Sequence, residues 1–127
     1  GLHPATLDAG LGSALQEVAA RAPLPVRVRA ARERFSSEAE ATAYFIACEG
    51  LTNALKHSGA QQVEITAERD EDDLVITVAD DGRGGAHLGA GNGLISLRDR
   101  ARARGGTLLV DSPGGRGTRL VARFPCG

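Results

Sequence analysis

The chain has 127 residues and a formal net charge of −1, from 15 Lys+Arg against 16 Asp+Glu. A single domain of this length buries about two thirds of its unfolded surface, so it needs no metal or disulfide framework, and the two cysteines could not supply one. The balanced charge argues against nucleic-acid binding through bulk electrostatics, and no apolar run approaches the ~20 residues of a membrane span. With 42% hydrophobic but only 3% aromatic residues, the core has to be aliphatic. The reading is one soluble domain from a reducing compartment. Lys56 is the single lysine, and eleven of the 17 glycines fall between Gly82 and Gly117, which points to unusual loops in the second half.

Leu7, Leu11, Leu15 and Val18 recur at helical spacing, with Asp8 near the start. Pro23 and Pro25 end that run, and Val26 to Ala30 alternates like a short strand. The clearest element is a helix over about Glu38 to His57, opened by Ser37 and Glu40 as a capping box. Its expected apolar stripe is Ala41, Tyr44, Phe45, Cys48, Leu51, Thr52 and Leu55, with Gly59 as a left-handed cap. A hairpin follows: Val63, Ile65 and Ala67 alternate with polar residues, and Asp70 to Asp73 form a solvated acidic tip before Leu74 to Val78. From Asp80 to Gly93 the chain is a glycine-rich loop. Leu94 to Arg104 reads as a helix closed by Gly105 and Gly106. A second hairpin, Thr107–Val110 and Thr118–Phe124, turns at Pro113 to Gly115. This order is not a repeated βαβ, so the class is α+β.

Three features carry chemistry. Glu49, Asn53, Lys56 and His57 fall on one polar strip of the long helix, a set that a solvated face also produces by chance. Asp80 ends a strongly apolar strand, where a carboxylate at the rim of the core is costly unless it accepts hydrogen bonds, such as one from the exocyclic amine of adenine. Gly82 and Gly84 let backbone approach a flat ring, and Gly89 to Gly93 before a helix resembles a phosphate cradle. Each is weak alone; their fixed order gives them weight. Cys48 reads as a buried thiol and Cys126 as a tail residue. Arg98, Arg100, Arg102 and Arg104 favour the C-terminal helix dipole, or Arg98 reaches a phosphate or acidic partner.

At these residues the sequence resembles a known family, the catalytic ATP-binding domain of two-component sensor histidine kinases within the gyrase/Hsp90/histidine-kinase/MutL superfamily. Glu49 to His57 resembles the N box, and Asp80 to Gly84 the first glycine box. Gly91 to Leu94 with Ser96 to Arg100 resembles the second, and Gly115 to Thr118 the G-x-G-T turn. The NarL/DesK-like subgroup, with Glu four residues before Asn in its N box, is the nearest likeness. Leu2-His3-Pro4 resembles the connector that follows the dimerisation helices, so residues 1–7 read as its remnant and 1–127 as the ATP-binding domain.

The resemblance implies a two-layer α/β sandwich (the Bergerat fold), with a mixed sheet of about five strands and about three helices on one face. It implies ATP or ADP with Mg²⁺ as ligands. Asn53 and Glu49 would serve as metal and catalytic residues, Glu49 as base or water holder. Lys56, His57, Asp80, Gly82, Gly84, Gly91, Gly93, Leu94 and Thr118 would hold nucleotide. The implied activity is supply of the γ-phosphoryl group to a histidine on the parent's own dimerisation domain. None of His3, His57 and His87 stands in a phosphoacceptor context. No phenylalanine separates the two main glycine boxes, so the expected lid, Arg83 to Gly93, is short. Further implied are a downstream response-regulator receiver domain, no direct nucleic-acid partner, a cytoplasmic location, and a homodimeric parent compatible with a membrane anchor. The rivals are an anti-sigma-factor serine kinase of the same superfamily and a nucleotide-gated binding module without transfer.

Overall fold

The alternating segments assemble into one mixed sheet. In the computed structural model, which describes residues 5–86 and 93–127, the strands are β1 (Val26–Ala30), β2 (Val63–Asp70), β3 (Asp73–Asp80), β4 (Thr107–Asp111) and β5 (Thr118–Pro125). Their order is β1-β2-β3-β5-β4; β1 and β2 are parallel and every other pair antiparallel. The parallel pair demands a crossover, and the long helix provides it. Helices α1 (Leu11–Arg21), α2 (Ser37–Asn53) and α3 (Leu94–Ala103) lie side by side on one face, α1 against β1, α2 across the centre, α3 against β4 and β5. The expected two-layer sandwich of five strands and three helices is what the chain forms.

Period-2 alternation sets the core. Across the sheet, Ile65, Val78 and Leu120 are register partners on the helix side, as are Ala67, Ile76 and Ala122. All six are buried. Phe124, the one aromatic among them, with Leu74, Ile46, Leu15, Leu97 and Leu7 completes an otherwise aliphatic interior, each worth about 1.5–3 kcal/mol of burial.

The helices depart from the sequence reading in three places. The first helical run is broken at Gly10 (φ 118°) into a 3₁₀ turn, Ala5–Ala9, and α1. The cap of α2 lies one residue earlier than expected: Ser36 Oγ accepts from Ala39 N at 3.1 Å. Glu40 is no capping-box partner of Ser37; it is buried, takes two 3.0 Å bonds from the Arg34 guanidinium and accepts from Phe35 N. Arg34 also donates to the Asp8 carbonyl, so one fork ties the first turn, the loop and α2 together.

The third correction concerns the buried face of α2. Ala39, Ala43, Ile46, Ala47, Gly50, Leu51 and Ala54 face the core, whereas Ala41, Tyr44, Phe45, Cys48 and Thr52 are half-buried and Leu55 is 37% exposed. Small residues win the sheet-facing position because they bring the helix axis close, and the large ones fill its flanks. Phe45 receives the Arg100 guanidinium of α3 over its ring at 3.7 Å. Past Asn53 the helix widens into a π turn, Ala54–Ser58, just after Thr52 Oγ1 donates back to the Cys48 carbonyl. Gly59 then closes it in the left-handed region, as expected.

At Gly50 the seam is tight: an added Cβ would lie 3.0 Å from Val78 Cγ2. Gly50→Leu is therefore expected to lower unfolding free energy by about 1–3 kcal/mol in denaturant titrations. The same substitution in a Val78→Ala background should cost less. Equal costs in the two backgrounds would place the strain elsewhere.

Candidate functional site

Strand alternation and helix periodicity converge at one end of the sandwich. On β3, Val78 and Asp80 are two residues apart and share the helix-facing side; on β5, Leu120 and Thr118 do the same. Register pairs Val78 with Leu120 and Asp80 with Thr118. The apolar row thus gives way, one step outward, to a carboxylate beside a hydroxyl. Above them α2 and its π turn present Gly50, Asn53, Ala54 and His57, at i, i+3, i+4 and i+7.

Between these elements lies a cavity of about 240 Å³, lined by those eight residues and closed by Gly84, Gly85, Ala86 and Leu94. Six residues expected from the sequence meet there: Asn53, His57, Asp80, Gly84, Leu94 and Thr118. Four do not line it. Glu49 is half-buried one turn before Asn53, Lys56 is exposed on the π turn, and Gly82 is half-buried with its N–H on Asp80. Gly93 (φ 81°) begins α3, where an added Cβ would lie 3.4 Å from Asn53 Oδ1. Gly91 lies outside the described residues, as do His87 and the middle of the expected lid.

The loop wall is built by hydrogen bonds to the β4–β5 turn. Gly115 N donates to the Arg83 carbonyl at 2.6 Å and Gly85 N to the Ser112 carbonyl at 2.8 Å. Ala86 N donates to Ser112 Oγ at 2.9 Å. The first residues of the expected lid are therefore strapped to the body. Two glycines are required by contact: a Cβ at Gly84 (φ 69°) would overlap the Pro113 carbonyl oxygen, and one at Gly117 (φ 80°) the Asp80 carbonyl oxygen.

The adjacent carboxylates do opposite work. Asp80 accepts from Gly82 N at 2.8 Å, an Asx-type turn that leaves it in the cavity wall. Asp81 is exposed and accepts from Gln61 N (2.8 Å) and Gln62 N (3.1 Å), which hold its pKa below the ordinary value. The Asn53 amide is poised differently: its Nδ2 is buried without a partner among the described residues. Sequence reasoning missed Gly50, Ala54, Val78, Gly85, Ala86, Leu120 and the strap residue Ser112. The first four were within reach, by extending the Asn53 periodicity backward and forward, the Asp80 alternation inward, and the glycine run by one residue.

Residues 38–127 match the family described as histidine kinase-, DNA gyrase B-, and HSP90-like ATPase. The chain belongs to this ATPase family. Within it, the domain is similar to the oxygen sensor histidine kinase NreB of Staphylococcus carnosus, 34% identical over 97 residues. That match takes in 73% of this chain and 28% of the relative. It is 38% identical over 82 residues to the nitrate/nitrite sensor protein NarX of Escherichia coli K12, covering 62% of this chain and 14% of that one. The ATPase domain thus spans under a third of these relatives. Among solved structures, the blue-light activated histidine kinase EL346 of Erythrobacter litoralis superposes with a TM-score of 0.74 at 26% identity, over 93% of this chain and 40% of that one. The ATP binding domain of PrrB from Mycobacterium tuberculosis gives 0.68 at 25% identity, over 92% and 91%. The domain is of the sensor-histidine-kinase type, as its boxes implied.

Asp81 yields a pH test. A carboxyl whose folded pKa is lowered stabilises the fold above its unfolded pKa, about 4, and that contribution is lost as pH falls through the folded value. Asp81→Asn should be less stable than the parent at pH 7, and the two unfolding midpoints should converge toward pH 2. A constant gap across that range would contradict the assignment.

Proposed function

We propose that this domain binds Mg-ATP and supplies the γ-phosphoryl group to a histidine on the dimerisation domain of a two-component sensor kinase. The observation that carries the reading is the cavity itself: an apolar slot under α2 with one carboxylate, Asp80, set in its wall beside Thr118. Val78, Leu120, Ala54 and Leu94 suit a flat apolar ring, and Gly50 and Gly84 leave room for it. Asp80, a pure acceptor, suits the exocyclic amine of adenine.

Asn53 suits the metal. Its buried amide has an unpaired end, and the two ends of an amide can exchange by a flip that presents oxygen. Among the described residues no cluster of three or more His, Cys, Asp or Glu could cage a cation. Mg²⁺ keeps water and substrate phosphates as most of its ligands and needs few from protein. When bound, Mg²⁺ would neutralise phosphate charge as transfer proceeds. Glu49, one turn earlier on α2, would take the imidazole proton or hold a metal-bound water. Lys56 and His57, on the π turn, would meet phosphate oxygens, with Gly91 and Gly93 along the phosphate chain and Gly82 and Gly84 shaping the base pocket. Transfer forms an N–P bond on the acceptor imidazole and breaks the bond from the γ-phosphorus to its bridging oxygen, leaving ADP. The parent would be a homodimer whose residues 1–7 join the dimerisation helices to this domain. It would work on the cytoplasmic side and hand phosphate to a response-regulator receiver domain. No helix of the described residues is long and apolar enough to cross a membrane.

Calorimetry with ADP should show binding that weakens when Mg²⁺ is chelated, and Asp80→Asn should reduce affinity about ten- to hundredfold, the value of a charge-assisted hydrogen bond. With labelled ATP and a separately prepared dimerisation domain from the same parent, acid-labile phosphate should appear on that domain. Glu49→Gln should slow its appearance more than it weakens ADP binding. Equal affinity for GTP, or transfer to serine, would overturn the reading.

A further inference from the structure

Ser112 stands outside the cavity and outside every box read from the sequence, yet it touches two walls. Its Oγ accepts from Ala86 N at 2.9 Å, lies 2.6 Å from Thr118 Oγ1 and 3.4 Å from the Gly117 carbonyl oxygen. A hydroxyl has one proton and two lone pairs, so the Ser112–Thr118 pair can be arranged in two ways. If Thr118 donates to Ser112, the Ser112 proton is left with the Gly117 oxygen at the long limit of a hydrogen bond. If Ser112 donates to Thr118, the short bond is kept and the Thr118 proton is released to another acceptor. Thr118 lines the cavity, so a ligand there can take it.

We propose that Ser112 is the positioning residue that makes Thr118 a hydrogen-bond donor toward the base, and so fixes half of the base selectivity; the inference rests on the adenine-nucleotide reading above. The amine edge of adenine offers a donor and, next to it, the ring acceptor N1. Asp80 and Thr118, cross-strand partners on β3 and β5, then present the complementary acceptor and donor. Guanine offers the reverse pattern on that edge, a carbonyl oxygen and a ring N–H. Asp80 would face the guanine oxygen lone pair to lone pair, and a donor at Thr118 would meet the ring N–H. By accepting from Ala86 N, Ser112 is also fixed to the strap that carries Gly84 and Gly85, so hydroxyl orientation and loop wall share one anchor.

The test is titration of the chain with ADP and with 1-deaza-ADP, which lacks the N1 acceptor. The parent should bind ADP about 5- to 10-fold more tightly than the analogue, the value of one hydrogen bond. In Ser112→Ala the Thr118 hydroxyl keeps its proton but loses the bond that aims it, so ADP affinity should fall more than that of the analogue and the ratio should shrink while staying above one. Ser112→Thr, which keeps the hydroxyl, should restore the ratio. If Ser112→Ala fails to fold, Thr118→Val, which removes the donor itself, should give a ratio near one. A purely structural role would weaken both nucleotides together, and an unchanged ratio in either variant overturns the positioning role while leaving ADP binding intact. A parent chain with no affinity for ADP overturns the nucleotide reading, and this inference with it.

Discussion

The distance between α2 and the central strands governs the rest of the molecule. Ala39, Ala43, Ala47, Gly50 and Ala54 form the seam, and Gly50 is already close to Val78. A helix seated this low needs only Ile46 and Leu51 as its own large contributions to a core that α1 and α3 complete. Its large half-buried residues are then free for the flanking helices, as Phe45 beneath Arg100 shows. The same low seat brings Asn53 and His57 over the strand ends where Asp80 and Thr118 stand. Were the seam built of leucines, the helix would ride higher and the polar groups would not share a cavity.

Polar groups at that end of the sandwich are arranged by backbone more than by ion pairs. Asp80 is fixed by Gly82 N, Asp81 by two amides of the β2 approach, and the loop from Arg83 to Ala86 by the β4–β5 turn. Ion pairs hold other parts of the molecule. Arg123 bridges Asp70 and Asp73 at the far hairpin, and Arg69 pairs with Glu33. Such surface pairs contribute little each, so the site end owes its shape to close glycine contacts and hydrogen bonds that no side-chain charge could replace.

Much of this was legible in the residues. Alternation in Val63–Ala67 and the apolar run Leu74–Val78 marked two strands, and Asp80, standing at the end of that run, was legible as a carboxylate at the rim of the core. The buried face of α2 was misread for a physical reason: bulky residues dominate any apolar pattern, while alanine and glycine, which permit the closest approach, add little to it. The capping residue slipped by one, since Ser36 and Ser37 are chemically equivalent and only the turn of the chain chooses between them. Ser112 left no signal at all. Its partner Ala86 is 26 residues away and contributes only a backbone N–H, so no pattern of side chains could announce the contact.

The slot beneath Gly50 and above Asp80 is proposed to seat an adenine nucleotide. Mapping backbone amide chemical shifts on addition of Mg-ADP tests it most directly. The largest changes should fall on Gly50, Asn53, Asp80, Gly82, Gly84 to Ala86 and Thr118, with the opposite sheet face at Thr66, Ala79 and Arg119 changing far less. Shifts centred on that opposite face, or spread evenly over the domain, would place the nucleotide elsewhere.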